Sequence, residues 1–272
     1  MYREFFGLKE KPFSTTSDPN FLFLSRVHKD AFAHLLYGIR ERKGFLEITG
    51  EIGAGKTTLC RALLSQLDVT TKSSFIFNAN LPDVQLLRAI VEDFGIEVKG
   101  HNKVSLLKQF NSFLIEELSH GNNVVLIIDE AQNLKLSTLE EIRLLSNLET
   151  DKDKLFQIIL VGQPELKKKL ASPSLKQLRQ RISVRFHITP LEKEEVGAYI
   201  QHRLAVAGST GQIIFEPEAV EKIYSYSGGV PRIINTICDK SMLIAYVAET
   251  RNITVSMVEQ SIHETEGCLV TR

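Results

Sequence analysis

The sequence has little cysteine, no excess of charge of either sign and no long apolar run. Its three cysteines, Cys60, Cys238 and Cys268, are odd in number and widely spaced, so neither a disulfide framework nor a Cys-x-x-Cys metal site is expected. Lysine plus arginine and aspartate plus glutamate number 33 each, so the protein as a whole exerts no field that attracts DNA or anionic lipid. We therefore expect free thiols in a reducing compartment.

The longest aliphatic run, Val124–Ile128, is far shorter than the roughly 20 residues that cross a bilayer. The N-terminus carries charges inside its apolar stretch, which is unlike a signal peptide. These features predict a cytoplasmic protein that reaches the inner membrane, if at all, through a partner.

The 272 residues are 43% hydrophobic and 24% charged, which fits one larger α/β domain with a smaller companion. We divide the chain into a lead at residues 1–44, a core at 45–190 and a lid at 191–272. The core alternates strand and helix patterns, which predicts a three-layer αβα fold around a parallel sheet. The lid shows helical spacing only and is predicted to be all-helical.

The apolar run Val124–Ile128 has no alternation, as expected of a central strand that is buried on both faces. The predicted strands are Phe45–Thr49, Ser74–Asn78, Val124–Asp129, Phe156–Gly162 and Val184–Thr189. The predicted helices before the lid are an amphipathic stretch from His28 to Arg42 and the stretches 56–67, 82–94, 105–119 and 138–148. The predicted lid helices are Glu192–Val206, Glu216–Ser227, Pro231–Val247 and Thr254–Glu264.

Residues 50–58 read GEIGAGKTT and match the phosphate-binding pattern G-x-x-x-x-G-K-[ST] between a predicted strand and a predicted helix. The glycines allow a tight loop, and successive backbone N–H groups at a helix N-terminus point at the phosphates. Lys56 is predicted to contact the β- and γ-phosphates of ATP, and the Thr57 hydroxyl to ligate Mg²⁺. The predicted nucleotide-binding residues of the loop are Gly50, Glu51, Ile52, Gly53, Ala54, Gly55, Lys56, Thr57 and Thr58.

Residues 124–132 read VVLIIDEAQ, an apolar strand that ends in two carboxylates. Asp129 is the predicted Mg²⁺-holding acid of a P-loop protein, and Glu130 is the predicted general base for a water that attacks the γ-phosphate. The alternative is a purely structural role, in which this pair caps the next helix.

Gln163 follows the predicted strand Phe156–Gly162. If this strand lies between the P-loop strand and the acidic strand, Gln163 faces the γ-phosphate and orients water or senses the phosphate. The alternative is that Gln163 only opens the turn that continues with Pro164.

The order of P-loop, Asp-Glu pair, polar strand tip and helical lid resembles AAA+ ATPases. In LRQRISVRF, residues 178–186, the resemblance implies an arginine finger for a neighbouring subunit's ATP, with Arg181 the first choice and Arg179 the second. Arg185 is expected to point into solvent. In GGVPR, residues 228–232, the resemblance implies that Arg232 contacts the γ-phosphate from the lid. The alternative is that these arginines lie on solvated helix ends.

At finer grain the chain resembles the family of general secretion pathway protein A, with short relatives in type IV pilus and exosortase-linked polysaccharide systems. The resemblance rests on FFGLKEKPFSTTSDPNFLFLS and HLLYGIRERKGFLEITGEIGAGKTTL, with LIIDEAQNL and ILVGQPEL further on. It implies that the lead covers the adenine, with Phe23, Leu24 and His28 as contacts, unless the lead simply packs on the core. The sequence ends at Arg272, so the cell-wall-binding part of longer members is not carried over.

The resemblance implies an ATP- and Mg²⁺-dependent ATPase that forms homo-oligomers with shared sites and helps assemble or position an envelope machine. One alternative is a DNA-associated ATPase, with the basic stretches Arg40–Lys43 and Lys167–Lys169 as its footprint. Another is a slow nucleotide switch. Nucleic-acid contact is not favoured, because the net charge is zero.

Overall fold

A computed structural model describes residues 2–77, 81–100, 102–148 and 154–270, with no side chains beyond residue 267. The chain forms two compact units. The first, here called the lead–lid unit, consists of Met1–His28, Glu51–Thr58 and Thr189–Arg272. The second, here called the sheet unit, consists of Lys29–Gly50 and Leu59–Ile188. The division into residues 1–44, 45–190 and 191–272 stays a prediction.

The sheet unit is built on five parallel strands in the order β2-β3-β4-β1-β5. The strands are β1 (Phe45–Gly50), β2 (Thr71–Ile76), β3 (Asn123–Ile128), β4 (Gln157–Gly162) and β5 (Ile182–Ile188). The order places β4 between the P-loop strand and the acidic strand, as the interpretation of Gln163 required.

Helices cover both faces of this sheet. On one face Phe45 and its register partner Ile158 join a core with Phe110 of the helix that precedes β3. On the other face, Gly38 packs so closely on Leu46 that an added Cβ would lie 2.3 Å from Leu46 Cδ2. The helices are α2 (Arg26–Arg40), α3 (Lys56–Ser65), α4 (Asp83–Asp93), α5 (Lys103–Ser119), α6 (Leu136–Leu145), α7 (Pro164–Leu170) and α8 (Lys176–Arg181). The predicted three-layer αβα fold is confirmed.

The lead–lid unit is a helical bundle whose core includes aromatic residues of the lead, such as Phe13 and Phe21. Arg203 is buried there, and its guanidinium donates to the backbone carbonyls of Pro12 and Ser14 at 2.5 and 2.9 Å. The elements are α1 (Tyr2–Phe5), α9 (Lys193–Val206), β6 (Ile214–Phe215), α10 (Pro217–Ser227), α11 (Pro231–Val247), β7 (Asn252–Ile253) and α12 (Val255–Val270). The lead is therefore folded onto the lid through an aromatic core and a buried arginine.

The structure differs from the sequence expectations in details. The expectation of helices only in the lid was wrong, because β6 and β7 form a short parallel pair. Helices α1, α7 and α8 were not predicted. Strand β2 begins earlier than expected, at Thr71, and the predicted strand residue Asn78 lies outside the described residues. Among the described helices, none combines the length and the apolar character that a membrane span requires.

Candidate functional site

The P-loop, Glu51–Thr58, belongs to the lead–lid unit and folds back on its own first residue. The carbonyl oxygen of Glu51 accepts hydrogen bonds from Ala54 N–H at 3.2 Å and from Lys56 Nζ at 2.8 Å. Gly53 and Gly55 have φ of +81° and +92°, where glycine is favoured because it lacks a Cβ. Lys56 is buried and begins α3. The loop thus has the left-handed turns and the helix start that phosphate binding needs.

The other predicted loop residues differ in exposure. Glu51 and Ile52 are exposed, whereas Thr57 and Thr58 are half-buried in the first turn of α3. Gly50 ends β1 in the sheet unit, and a Cβ there would lie 2.6 Å from the carbonyl oxygen of Ile188. Glycine at position 50 is therefore required by close strand packing.

Arg232 lies beside the P-loop within the lead–lid unit. Its backbone N–H donates to the carbonyl oxygen of Gly53 at 3.3 Å, and its side chain is exposed. A Cβ on Gly53 would lie 2.5 Å from Arg232 Cβ and 3.4 Å from Val230 Cγ1. The start of α11 and the loop are therefore packed without room for a side chain between them.

The three residues of the lead that were expected to contact adenine have different surroundings. Phe23 packs its ring on Tyr199 and His202 of α9, with centroids 5.8 and 5.6 Å apart. Leu24 is exposed. His28 is buried, and its Nε2 lies 2.9 Å from the carbonyl oxygen of the P-loop residue Ala54. His28 is thus the residue of this group that contacts the loop.

The acidic strand end lies in the sheet unit. Asp129 is buried, and its backbone N–H donates to the carbonyl oxygen of Ile76 on β2 at 2.9 Å. Its Oδ1 accepts the N–H of Glu130 at 2.8 Å. Glu130 has φ 52° and ψ 36°, a left-handed conformation that costs about 1–3 kcal/mol for a residue other than glycine. Strained residues of this kind cluster at functional sites.

Two glutamine amides hold the Glu130 carboxylate. Gln163 Nε2 donates to Glu130 Oε2 at 3.0 Å, and Gln132 Nε2 donates to the same oxygen. The backbone N–H of Gln163 in turn donates to Gln132 Oε1 at 3.1 Å. The two glutamines and Glu130 form a closed ring of hydrogen bonds, which the backbone N–H of Gln163 completes and which is here called the Glu130 ring.

Gln132 was missed by the sequence interpretation. The available signal was an amide two residues after the Glu130 carboxylate in DEAQ, where a turn brings residues i and i+2 together. Gln163 was expected to face water or phosphate, and the structure shows its amide donating to Glu130. In the described structure, Gln163 therefore acts on the carboxylate.

The arginines near β5 are engaged to different degrees. Arg181 is half-buried and donates to the Ser146 hydroxyl at 2.6 Å and to a backbone carbonyl of α6. Arg179 is exposed. Arg185 is exposed, as expected, and its guanidinium also pairs with Glu47 at 3.4 Å. Burial raises the pKa of Glu47, and Arg185 opposes that rise.

Two cations of the basic stretches that the DNA-binding alternative would use donate hydrogen bonds within the fold. Lys169 Nζ donates to the backbone carbonyls of Gln132 and Leu134, at 2.7 Å for the latter. Arg42 donates to two backbone carbonyls of the turn before β3, at 3.1 and 3.2 Å. The stretches Arg40–Lys43 and Lys167–Lys169 therefore present fewer available charges than their sequences suggest.

The cysteines agree with the expectation of free thiols as far as they are described. Cys60 and Cys238 are buried and are not joined in a disulfide, and burial raises the pKa of the Cys238 thiol. The side chain of Cys268 lies outside the described residues. A buried thiol of raised pKa is unreactive.

Comparison with known proteins identifies a matching family and a similar sequence. Residues 39–170 match a family model described as an AAA domain. Over 268 residues the chain is 42% identical to general secretion pathway protein A of Aeromonas hydrophila, covering 98% of this chain and 49% of that protein. The chain thus spans about half the length of that relative.

Among solved structures, the chain is similar to the ORC2 protein of Aeropyrum pernix in ADPNP–ADP complexes, with a TM-score of 0.73, 18% identity, and coverage of 94% of this chain and 72% of that chain. It is also similar to the Aeropyrum pernix ORC1 protein in complex with DNA, with a TM-score of 0.64, 17% identity, and coverage of 88% and 65%. At such identities the likeness concerns the fold, which is a nucleotide-binding one. These similarities agree with the P-loop, the parallel sheet and the aromatic lead, and the chain belongs to the AAA+ ATPases, in the family of general secretion pathway protein A.

Proposed function

We propose that the protein binds MgATP and hydrolyses it to ADP and phosphate. The observation that carries the proposal is the P-loop conformation: two left-handed glycines, Gly53 and Gly55, lead into Lys56 at the first residue of α3. Backbone N–H groups at such a helix start attract anions, and the lysine adds a positive charge. A loop of this shape is a site for the phosphates of a nucleotide.

The residues present fit a magnesium ion held together with the phosphates. The hydroxyl of Thr57 and the carboxylate of Asp129 are hard oxygen ligands, which Mg²⁺ prefers. The P-loop continues directly from β1, and the order β3-β4-β1 puts the carboxyl ends of these parallel strands at one edge of the sheet. We propose these two residues as the protein ligands of the magnesium ion. The ion, when bound, stabilises negative charge on the phosphates.

In this proposal Glu130 accepts a proton from the attacking water. The two amide donors of the Glu130 ring, from Gln132 and Gln163, fix the direction of the carboxylate. One carboxylate oxygen accepts both amides, which leaves the other for the water. We propose that Arg232, which is exposed beside Gly53, contacts the γ-phosphate from the lid side.

Binding and hydrolysis are tested separately. Lys56→Ala should abolish the heat of MgATP binding in calorimetry, because it removes the charge that faces the phosphates. Lys108→Ala, an exposed lysine of α5, is the matched control and should bind normally. Glu130→Gln should keep binding and lose phosphate release, because an amide does not accept the water's proton. Normal hydrolysis by Glu130→Gln would overturn the assignment of the base.

We further propose that sites are shared between copies of the chain. An arginine that reaches a neighbour's nucleotide must be accessible, so the exposure of Arg179 supports it over Arg181, whose guanidinium donates to Ser146. Arg179→Ala should hydrolyse poorly alone and regain activity when mixed with Glu130→Gln subunits, since one mixed site has both groups intact. Failure of the mixture to regain activity would argue against shared sites.

For the cellular role we propose assembly or positioning of a cell-envelope secretion, pilus or polysaccharide-export machine, in the cytoplasm or at the inner membrane through a protein partner. The similarity to general secretion pathway protein A supports this role.

The second candidate is a DNA-associated ATPase. The fold similarity to ORC proteins is compatible with this alternative. Duplex DNA binding that weakens steeply with salt would favour it. Single-turnover hydrolysis without a partner separates an ATPase from a slow nucleotide switch.

A further inference from the structure

The first turn of α2 lies against the P-loop within the lead–lid unit. His28 is 3% exposed, its Nε2 lies 2.9 Å from the carbonyl oxygen of Ala54, and its Nδ1 lies 2.7 Å from the Ser25 hydroxyl oxygen. Because a carbonyl oxygen only accepts, Nε2 carries the proton and donates to Ala54. A neutral ring then accepts at Nδ1 from the Ser25 hydroxyl. Both ring nitrogens are thus partnered, and the tautomer is fixed.

This hydrogen bond fixes one peptide of the phosphate loop. The Ala54–Gly55 peptide is trans and planar, so its C=O and N–H point in opposite directions. Holding the Ala54 carbonyl towards His28 therefore holds the Gly55 N–H away from the imidazole. Gly55 has φ +92°, in a region where glycine turns readily, so this peptide is one that would otherwise rotate at little cost.

The imidazole lies directly against the loop. A Cβ on Gly55 would lie 3.1 Å from His28 Nε2, so ring and loop are in close contact. Two residues earlier in the same turn, Arg26 N–H donates to the Glu195 carboxylate of α9 at 3.0 Å. Burial lowers the pKa of His28, while its hydrogen bond to Ala54 and the charge of Glu195 oppose that shift. The ring is neutral and rigidly placed at neutral pH.

We propose that His28 is a positioning residue for nucleotide binding, which presets the Ala54–Gly55 peptide so that the Gly55 N–H faces the phosphates before the nucleotide arrives. The inference rests on the proposed nucleotide site and names a residue that acts on it through the backbone. Its earlier expected role, contact with the adenine, is replaced by contact with the loop.

Two substitutions of His28 separate its two hydrogen bonds. The amide nitrogen of glutamine reaches about as far as Nε2 and can still donate to Ala54. That of asparagine reaches about as far as Nδ1 and stops short of the loop. His28→Gln should therefore bind MgATP within about twofold of the unmodified protein, whereas His28→Asn and His28→Ala should bind about tenfold more weakly, the effect of one hydrogen bond. His34→Ala, an exposed histidine of the same helix, is the control.

The kinetic readout distinguishes positioning from a folding defect. His28→Asn should raise KM for MgATP and leave kcat within about twofold, because misfolded molecules lower kcat whereas a misplaced peptide weakens binding. Equal binding by the Asn, Gln and unmodified proteins, or equal weakness of Asn and Gln, would overturn the inference. If the unmodified, His28→Asn and His28→Gln proteins bind MgATP equally and Lys56→Ala does not bind it, the nucleotide site is supported and only the role of His28 is refuted. If the unmodified protein does not bind MgATP, both the nucleotide site and the role of His28 are refuted.

Discussion

A methyl group at position 162 is expected to disturb the proposed catalytic carboxylate without touching it. A Cβ on Gly162 would lie 2.7 Å from Gln132 Oε1 and 2.9 Å from Leu166 Cδ2. Separations under 3.0 Å do not occur at a Cβ, so the Gln132 amide must withdraw. It then loses the hydrogen bond from Gln163 N–H and no longer fixes Glu130.

The expected size follows from these contacts. Overpacking of this kind costs about 1–3 kcal/mol of unfolding free energy. For a chain of this size each kcal/mol lowers Tm by about 2–4 °C. A hydrogen bond to a charged group is worth about 1.5–3 kcal/mol, so losing the Gln132 donor should lower kcat about tenfold or more. Gly162→Ala is therefore predicted to lower both Tm and kcat, measured by thermal unfolding and phosphate release.

Two further variants decide whether the mechanism is right. In a Gln132→Ala background, Gly162→Ala should lower kcat no further, because the donor it displaces is already absent. Gly121→Ala, with positive φ but no atom within 4 Å of the added Cβ, should cost stability only. Unchanged hydrolysis in Gly162→Ala, or losses in kcat that simply add, would refute the idea that Gln132 carries the effect.

Three other predictions concern stability. Arg203→Lys should lower the free energy of unfolding by about 1–3 kcal/mol in denaturant titrations, because a single ammonium does not reproduce the guanidinium's two hydrogen bonds to the lead. An unchanged denaturation midpoint would contradict this prediction. The pKa of Glu47 is raised by burial, so the folded state holds its proton above pH 4.5, and stability should fall as pH rises through the folded pKa. Glu47→Gln should flatten that slope, and Arg185→Ala should steepen it. Gln157 is fully buried, and no described residue bonds its side-chain amide, so Gln157→Met should raise Tm; a lower Tm would show that the amide is satisfied.

The local sequence pattern was sufficient to predict an element of the fold where one short segment contains the residues that define that element. The alternation of strands and helices and the unbroken apolar run at Val124–Ile128 predicted a parallel sheet, because such strands are buried on both faces. The glycine spacing around Lys56 predicted the loop, because glycine adopts its positive φ angles at the lowest cost. The short pair of β6 and β7 was not predicted, because a two-residue strand is too short to show an alternating hydrophobic pattern.

The sequence by itself determined which loop carries the phosphate-binding pattern, which carboxylates end the acidic strand, and which fold carries them. Tertiary structure alone decided which side chains act on one another. Gln132 and Gln163 reach Glu130 from two segments, and His28 reaches Ala54 across 26 positions of the chain. Contacts between segments so far apart depend on packing of the whole chain, and no local pattern of residues encodes them.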